Sequence, residues 1–555
     1  MELTEIIRKH ALKNAFEYGQ AQPGNVAGKV IAECPEAKAD VKATMQLIAE
    51  TIKEVNALSK QAIEKELANY SFPEKKELEE HNYRLENAEQ GKVVTRFLPE
   101  PNGPGHIGHA KAAWLNWEAA RQYNGKCILR WDDTNPEKES QEFVDSIRED
   151  LKWLGLSFAR ESYTSDLMPR FYELAEKLVN QGDAYVCECR QEEISRAREH
   201  GKPCAHRERT PQENAVLWKQ MVQGKVGEGE AILRLKADMK SQNTVMRDPT
   251  LFRVIKTPHY RQRDRYSAWP TYDFEVSIAD SLDGVTHALR SKEYELRDEL
   301  YYYIIDKIGL RKPVVYDFSR LNIKGTKLSK RFIKPLIEEG KVSGWDDPRL
   351  PTIRGLKRRG ILPAAIKNFV LSFGLSKVES EPSWEALLTE NRRLLDPIAP
   401  HYFFVDEPVE VYAENAPTQS IKVGQRTITT SQRFFIAGSD AKQLKQGETI
   451  RLKEAFNIKI KDASKHPIQA EYAGTQLLKT KKIQWVPVKE AVPATLVEVG
   501  DLFVDDKFNP ASLSERRGYC EKACTTIARE TIVQFERVGF ARLDDEKTMR
   551  FIRSC

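Results

Sequence analysis

Past Asp40, Met45, Ile48, Ile52 and Val55 fall at spacings of three and four, which lays one apolar stripe along a helix. Pro23 with Gly24, and later Pro35, break the surrounding stretch into pieces. Residues 1–90 are therefore expected to form a helical appendage packed on its own stripe. Around Gly91 the pattern changes. Val93-Val94-Thr95-Arg96-Phe97-Leu98 reads as a buried strand, and Pro99 to Gly105 as a turn-rich loop. Ala110, Ala113, Trp114 and Trp117 then mark a helical face that Gly125 ends, and Cys127 to Trp131 forms a second strand. Strand, helix and strand of these lengths make a βαβ unit, hence a parallel sheet. In such sheets a nucleotide sits at the carboxyl ends of the strands, beside a helix N-terminus.

Residues 166–269 carry their own helices, a cysteine cluster and an alternating strand at Ile232 to Leu235, and read as an insertion between two halves of the sheet, 91–165 and 270–320. A helical connector is expected over 321–399. From residue 400 to 555 the texture turns β-rich: Tyr402–Val405, Val409–Tyr412, Ile483–Val486 and Thr495–Val499 are short strands parted by Pro, Gly and Asp, the pattern of one or two β-barrels.

A chain of 555 residues has room for about three or four domains, and 40% hydrophobic with 30% charged residues suits a folded, soluble protein. There is no apolar run of about 18 residues and the N-terminus lacks an apolar core, so a membrane span and secretion are not expected and a cytoplasmic location is. With 87 basic and 82 acidic residues the net charge is only +5, so any nucleic-acid contact must come from local patches such as Arg349 to Arg359. The eight cysteines are scattered except for one cluster, which argues for a metal site rather than a disulfide framework. Cys520 and Cys524 read as ordinary core residues.

Gly103-Pro-Gly105-His106-Ile-Gly108-His109 follows the first strand and opens the helix. His106 and His109 lie three apart, where they can donate to phosphate oxygens at the helix N-terminus, and Gly105 and Gly108 let the backbone come close. Half a metal site, or two surface histidines, are the alternatives. Further on, Lys324-Gly-Thr-Lys327-Leu-Ser329-Lys330-Arg331 is a short basic loop able to neutralise outer phosphates, or else simply solvated. Cys187-Glu-Cys189 and Cys204-Ala-His206 offer three thiolates and an imidazole, the donor set of a closed structural zinc site; buried cysteines beside a surface histidine are the alternative.

The pair His-Ile-Gly-His and Lys-Leu-Ser-Lys-Arg resembles the two signatures of class I aminoacyl-tRNA synthetases, the second with Leu328 in place of methionine and Arg331 at its end. Arg96 to Gly103, Leu129-Arg-Trp-Asp-Asp-Thr-Asn-Pro136, Tyr272-Asp-Phe274 and Gly344 to Thr352 are similar to the glutamyl/glutaminyl branch, Trp131 standing where phenylalanine is usual. The β-rich tail fits the archaeal and eukaryote-like type. The resemblance implies an α/β, Rossmann-like parallel-sheet catalytic domain with the N-terminal helical appendage, an α/β insertion holding the tRNA acceptor end and a zinc knuckle, a helical connector and C-terminal anticodon-binding barrels. It implies ATP with Mg²⁺, structural Zn²⁺, a monomer without membrane association, and transfer of an activated amino acid to tRNA. His106, His109, Lys327 and Lys330 would be catalytic, with Gly105, Gly108 and Ser329 also at ATP. Arg96, Glu100, Asp132, Tyr272 and Arg290 would hold the amino acid, and Arg354, Lys357, Arg358 and Arg359 would meet tRNA.

Charge separates the two amino acids. Glutamyl enzymes have arginine where this chain has Arg290, and glutaminyl enzymes an uncharged residue. A buried arginine suits a side-chain carboxylate and is costly against an amide. Glutamate, with tRNA(Glu) as acceptor, is expected; tRNA(Gln) as a further acceptor stays open. An ion pair with a nearby acid such as Glu293 is the competing explanation of Arg290. A glutaminyl enzyme is the nearest rival. A small-molecule nucleotidyltransferase, an RNA-binding scaffold without catalysis and a truncated tRNA-modifying enzyme are more distant ones.

Overall fold

The computed structural model describes residues 3–18, 20–38, 40–67, 69–70, 83–327 and 330–555. They form two compact units that divide near residue 80. The first consists of α1 (Leu3–Tyr18), α2 (Pro23–Glu33), α3 (Val41–Asn56) and α4 (Lys60–Leu67). Asp40 caps α3 by accepting the Ala43 N–H at 2.9 Å. The expected stripe is present with one correction: Thr44, Ile48, Ile52 and Val55 are buried, while Met45 is 38% exposed. Thr44, Ile48 and Ile52 follow one another every fourth residue, so the neighbouring position 45 is turned about 100° away. The expected appendage also spans residues 71–82, which lie outside the described residues.

The second unit is built on the predicted βαβ unit: β1 (Val94–Phe97), α5 (Ile107–Gln122) and β2 (Lys126–Trp131), continued by α6 (Gln141–Trp153) and β3 (Glu161–Tyr163). All three strands are parallel, with Phe97 opposite Leu129 and Trp131 opposite Tyr163. Gly125 permits the return to β2, because a Cβ there would lie 2.2 Å from the Val93 carbonyl oxygen.

The insertion follows: α7 (Met168–Asn180), β4 (Ala184–Cys187), α8 (Gln191–Glu199), α9 (Pro211–Val222), β5 (Ile232–Leu235), β6 (Thr250–Val254) and β7 (Ala268–Pro270). β4 to β7 form an antiparallel sheet. β5 is the predicted strand, but it does not alternate: Leu233, Arg234 and Leu235 are all buried, and the Arg234 guanidinium donates to the Asp248 carbonyl at 2.9 Å.

The chain then re-enters the parallel layer through α10 (Tyr272–Leu282), β8 (His287–Ser291), α11 (Asp298–Ile308) and β9 (Val314–Phe318). Phe274 and Ile278 of α10 and Leu300 and Ile304 of α11 share one core with Phe171, Trp218, Phe252 and Trp269 of the insertion. β8 and β9 are parallel. β8 lies beside β1: Thr286 N–H donates to Val94 O at 2.9 Å, and Val94 N–H to Thr286 Oγ1 at 2.8 Å. The strand order is thus β3-β2-β1-β8-β9, and the winding reverses between β1 and β8. A crevice opens at such a reversal, at the carboxyl ends of the strands.

The connector holds α12 (Lys330–Glu338), α13 (Ile353–Arg359), α14 (Pro363–Leu371) and α15 (Trp384–Leu395). Residues of α13 and α14 pack with Ile107, Leu115 and Trp114 of α5 in the core over one face of the sheet. Beyond it, two seven-stranded sheets carry the β-rich tail. One surrounds Phe434, Ile458 and Trp485; the other surrounds Phe404, Phe535, Phe551 and the buried Cys520 and Cys524. No helix of the described residues is long and apolar enough to cross a membrane.

Candidate active site

The crevice between β1 and β8 is a cavity of about 490 Å³. One end is lined by Gly103, Pro104, His106, Gly108 and His109; Arg320, Leu321 and Ile333 also line the cavity. The other end is lined by Arg96, Glu100, Asp132, Tyr272 and Arg290. The structure therefore brings together residues that the sequence scatters over some 240 positions.

His106 is the N-cap of α5, and His109 sits on its first turn. His106 Nδ1 accepts the N–H groups of Gly108 at 3.1 Å and His109 at 3.3 Å, while His109 Nδ1 accepts the His106 N–H at 3.3 Å. The rings stack at 3.8 Å. A nitrogen that accepts carries no proton, so both imidazoles are Nε2–H tautomers. Burial pushes both below their ordinary range, His109 to about 4, so both are neutral donors at pH 7. Gly105 answers a steric demand: a Cβ there would lie 2.6 Å from Asp150 Oδ2. The loop is pinned from behind by the Gly344–Thr352 segment and the start of α13, since Ile353 N–H donates to Gly105 O and Ile107 N–H to Pro351 O, both at 2.9 Å.

At the other end Arg96 is only 2% exposed; its Nε donates to Asp280 at 3.0 Å and its Nη1 to Leu289 O at 2.8 Å, leaving Nη2 as the group to offer a ligand. Arg130 shares Asp280 at 2.6 Å, and the Tyr301 hydroxyl donates to the same carboxylate at 3.1 Å. Burial alone would raise Asp280, but the two guanidiniums outweigh it and hold the carboxyl below its ordinary range. Asp132 is pushed up to about 7, first by burial and then by the Glu100 carboxylate. Burial also raises the Tyr272 phenol.

Arg290, 5% exposed, pairs with Asp298 and lies 3.8 Å from Asp317. Glu293, its expected rival partner, pairs instead with Arg320 at 3.2 Å. An ion-pair role for Arg290 is thus real, with different acids, yet Arg290 also lines the cavity.

Lys327 is placed differently from the sequence expectation. It is not among the cavity's lining residues; its ammonium lies 3.1 Å from Asp506 in the β-rich tail and over the rings of Phe332 and Phe503. Ser329 lies outside the described residues, and Lys330 opens α12. In the basic stretch, Arg354 and Lys357 are exposed, whereas Arg358 grips Asp544 at 3.0 and 2.9 Å. Arg359 is buried against Trp384, so it offers no surface to a phosphate. Packing of α13 on the tail takes up Arg358, and packing on α15 takes up Arg359.

Cys187, Cys189, Cys204 and His206 bring their donor atoms within 4.8 Å of one another. Cys187 Sγ is 3.7 Å from Cys204 Sγ, and His206 Nδ1 is 3.4 Å from Cys189 Sγ and 3.9 Å from Cys187 Sγ. A tetrahedral ion with bonds of about 2.3 Å to sulfur sets its ligand atoms roughly 3.5–3.8 Å apart, so the donors fit one.

Sequence reasoning missed Lys111 and Arg320. Lys111 is 1% exposed, donates to Ser319 O at 2.6 Å and is pushed down to about 8 by burial. Its place between Ala110 and Ala113 on an apolar stripe was the available signal.

With this reversed-winding sheet, and with paired imidazoles at the helix N-terminus beside the cavity, the chain falls among the class I tRNA synthetases. Residues 92–397 match the catalytic domain of tRNA synthetases class I (E and Q), and residues 399–473 and 482–544 match the anticodon-binding domains of the same class. The chain is similar over its length to glutamate–tRNA ligases: 43% identical to that of Nitrosopumilus maritimus, covering 99% of each chain, and 40% identical to that of Korarchaeum cryptofilum, covering 100% of this chain and 99% of the other. The glutamate–tRNA ligase of Pyrococcus abyssi is 39% identical, with 98% of each chain covered. The chain belongs to the glutamate–tRNA ligase family, of the archaeal type.

Proposed function

We propose that the protein activates L-glutamate with ATP, releasing pyrophosphate, and transfers the glutamyl group from the adenylate to the 3′-terminal adenosine of tRNA(Glu). The observation that carries this reading is one cavity lined by Glu100 and Asp132, by Arg96 and Arg290 and by the paired imidazoles, partners for the α-ammonium, the side-chain carboxylate and the phosphates of the substrates. Glu100 and Asp132 face an α-ammonium. Arg290, with Arg96 and Tyr272 beside it, faces a side-chain carboxylate, and burial of a guanidinium there favours glutamate over the neutral glutamine. The Nε2–H donors of His106 and His109, backed by the dipole of α5, face phosphate oxygens, and Gly105 and Gly108 let the backbone approach them.

The glutamate α-carboxylate attacks the α-phosphate and pyrophosphate leaves; a ribose hydroxyl of the terminal adenosine then attacks the carbonyl of the mixed anhydride, forming the ester and releasing AMP and the hydroxyl proton. Neither step calls for a protein nucleophile, so the residues act by positioning and charge neutralisation. The neutral histidines donate without exchanging protons. Lys327, Ser329 and Lys330 would meet the leaving pyrophosphate, for which Lys327 must first part from Asp506. Mg²⁺ carried by ATP would supply further neutralisation of the phosphates. Cys187, Cys189, Cys204 and His206 would hold a structural Zn²⁺ that ties β4 to the loop after α8. Exposed Arg354 and Lys357 would meet the tRNA backbone. ATP–pyrophosphate exchange with glutamate, measured with tRNA present, tests the reading: His106→Ala and His109→Ala should each abolish most of it, and undiminished exchange in both would overturn it.

A further inference from the structure

Asp132 and Asp133 follow directly on the carboxyl end of β2. Asp132 lines the cavity, whereas Asp133 does not and is wholly buried. Asp133 Oδ1 accepts the Ser165 N–H and its Oδ2 the Ser165 hydroxyl, both at 2.8 Å, and Oδ2 also accepts the Tyr260 hydroxyl at 3.1 Å. Arg261 supplies the counter-charge: its Nη1 lies 3.6 Å from Oδ2 and donates to Ser165 Oγ at 3.1 Å. Ser165 comes just after β3, while Tyr260 and Arg261 belong to the loop between β6 and β7 of the insertion.

The same loop holds the Asp133 backbone. His259 is buried too, and its Nδ1 accepts the N–H groups of Arg261 at 3.2 Å and Gln262 at 2.9 Å. Its proton therefore sits on Nε2, which donates to the Asp133 carbonyl oxygen at 3.1 Å. On the other side, the Asp132 N–H donates to Pro99 O at 3.0 Å. The Asp132 backbone is thus bracketed by two hydrogen bonds, one to the loop after β1 and one from the insertion. Apolar packing would be enough to attach the insertion to the sheet; a buried polar network with every member satisfied fixes one arrangement.

We infer that Asp133 and His259 are positioning residues for amino-acid binding: through them the β6–β7 loop of the insertion sets the place from which Asp132 meets the substrate ammonium. The inference rests on the reading that Asp132 binds that ammonium. A mere anchor, once lost, would loosen the cavity for every ligand. A misplaced Asp132 weakens only ligands that carry the ammonium. Glutarate, which has both carboxylates of glutamate and no ammonium, separates the two cases.

The test compares the wild type, Asp133→Asn, His259→Leu, His259→Gln, Tyr260→Phe and Asp132→Asn in tRNA-dependent pyrophosphate exchange, with glutarate as competitor against glutamate. Asp133→Asn and His259→Leu should each raise the glutamate KM about tenfold, with the ATP KM and the glutarate inhibition constant within about twofold of the wild type. His259→Gln, whose amide returns a donor to the Asp133 carbonyl, should keep the glutamate KM within about threefold. Tyr260→Phe removes a single hydroxyl and should raise it about threefold, which decides the matter if the larger changes prevent folding. Losses shared by glutarate or ATP, or a glutamate KM unchanged in Asp133→Asn, His259→Leu and Tyr260→Phe, would overturn the inference. Unchanged glutamate KM in Asp132→Asn would instead overturn the reading beneath it.

Discussion

Lys327 Nζ lies 3.1 Å from Asp506 Oδ1, so the lysine of the second signature is paired with the β-rich tail instead of facing the nucleotide end of the cavity. Asp506 is largely exposed, and an ion pair with one exposed partner contributes little, about 1 kcal/mol at most. Parting the two is therefore a small cost beside contact with a triphosphate. Asp506→Ala should change pyrophosphate exchange by less than about fivefold, whereas Lys327→Ala should lower it about 10²-fold or more, the usual loss when a transition-state donor is removed. Equal losses in the two variants would mean that the pair itself is the working arrangement.

Arg290 is expected to set amino-acid choice. Truncating one member of a buried, hydrogen-bonded charge pair costs about 2–5 kcal/mol. Arg290→Gln should therefore lower kcat/KM for glutamate by about 10²- to 10³-fold and narrow the preference over glutamine, as measured by charging with each amino acid. It should also lower the melting temperature, because Asp298 and Asp317 lose their shared cation.

The pH dependence follows from Asp132, whose carboxyl is pushed up to about 7. Binding of an α-ammonium needs the ionised form, so kcat/KM for glutamate should fall as pH drops through about 7. Bound ammonium favours the carboxylate, so the limb in kcat should lie at lower pH. His109, lowered to about 4, and His106, lowered as well, stay neutral and add no limb between pH 6 and 8. An acid limb that persists unmoved in Asp132→Asn would contradict this.

The four cations expected to meet tRNA divide by burial. Lys357→Ala and Arg354→Ala should weaken tRNA binding and each reduce the salt slope by about one. Arg358→Ala strips the partner from Asp544, a 7% exposed carboxylate, and should show mainly as a lower melting temperature. Binding isotherms at several salt concentrations beside thermal melts separate the two effects.

Purified protein should carry one zinc per chain, and Cys189→Ser or chelation should release it with a lower melting temperature. Metal analysis finding no bound zinc in protein purified without chelator would remove zinc from the account.

What could be read from the sequence was local. The glycines and histidines of residues 103–109 announce a tight loop running into a helix N-terminus, because backbone geometry and helix ends follow from neighbours in the chain. The Cys-x-Cys and Cys-x-His spacings likewise announced a knuckle that the fold closes to within ligand distance. Partners supplied from afar were not legible. Nothing near Lys327 points to Asp506, nothing near Arg358 to Asp544, and Arg290 took Asp298 and Asp317 rather than the adjacent Glu293. Met45 and Arg234 show the same limit in packing, where a one-residue rotation or a shared core overrode the apparent period. Asp133 stayed hidden because an acid in a loop reads as solvated until the fold buries it.

Selection of glutamate by charge, ahead of its transfer to tRNA, is the task proposed for the cavity. The decisive measurement is charging of purified tRNA(Glu) with labelled glutamate and, separately, labelled glutamine. Acceptance of glutamate with glutamine disfavoured by about 10²-fold or more is the predicted result. Equal or preferential charging with glutamine, or none with either amino acid, would contradict it.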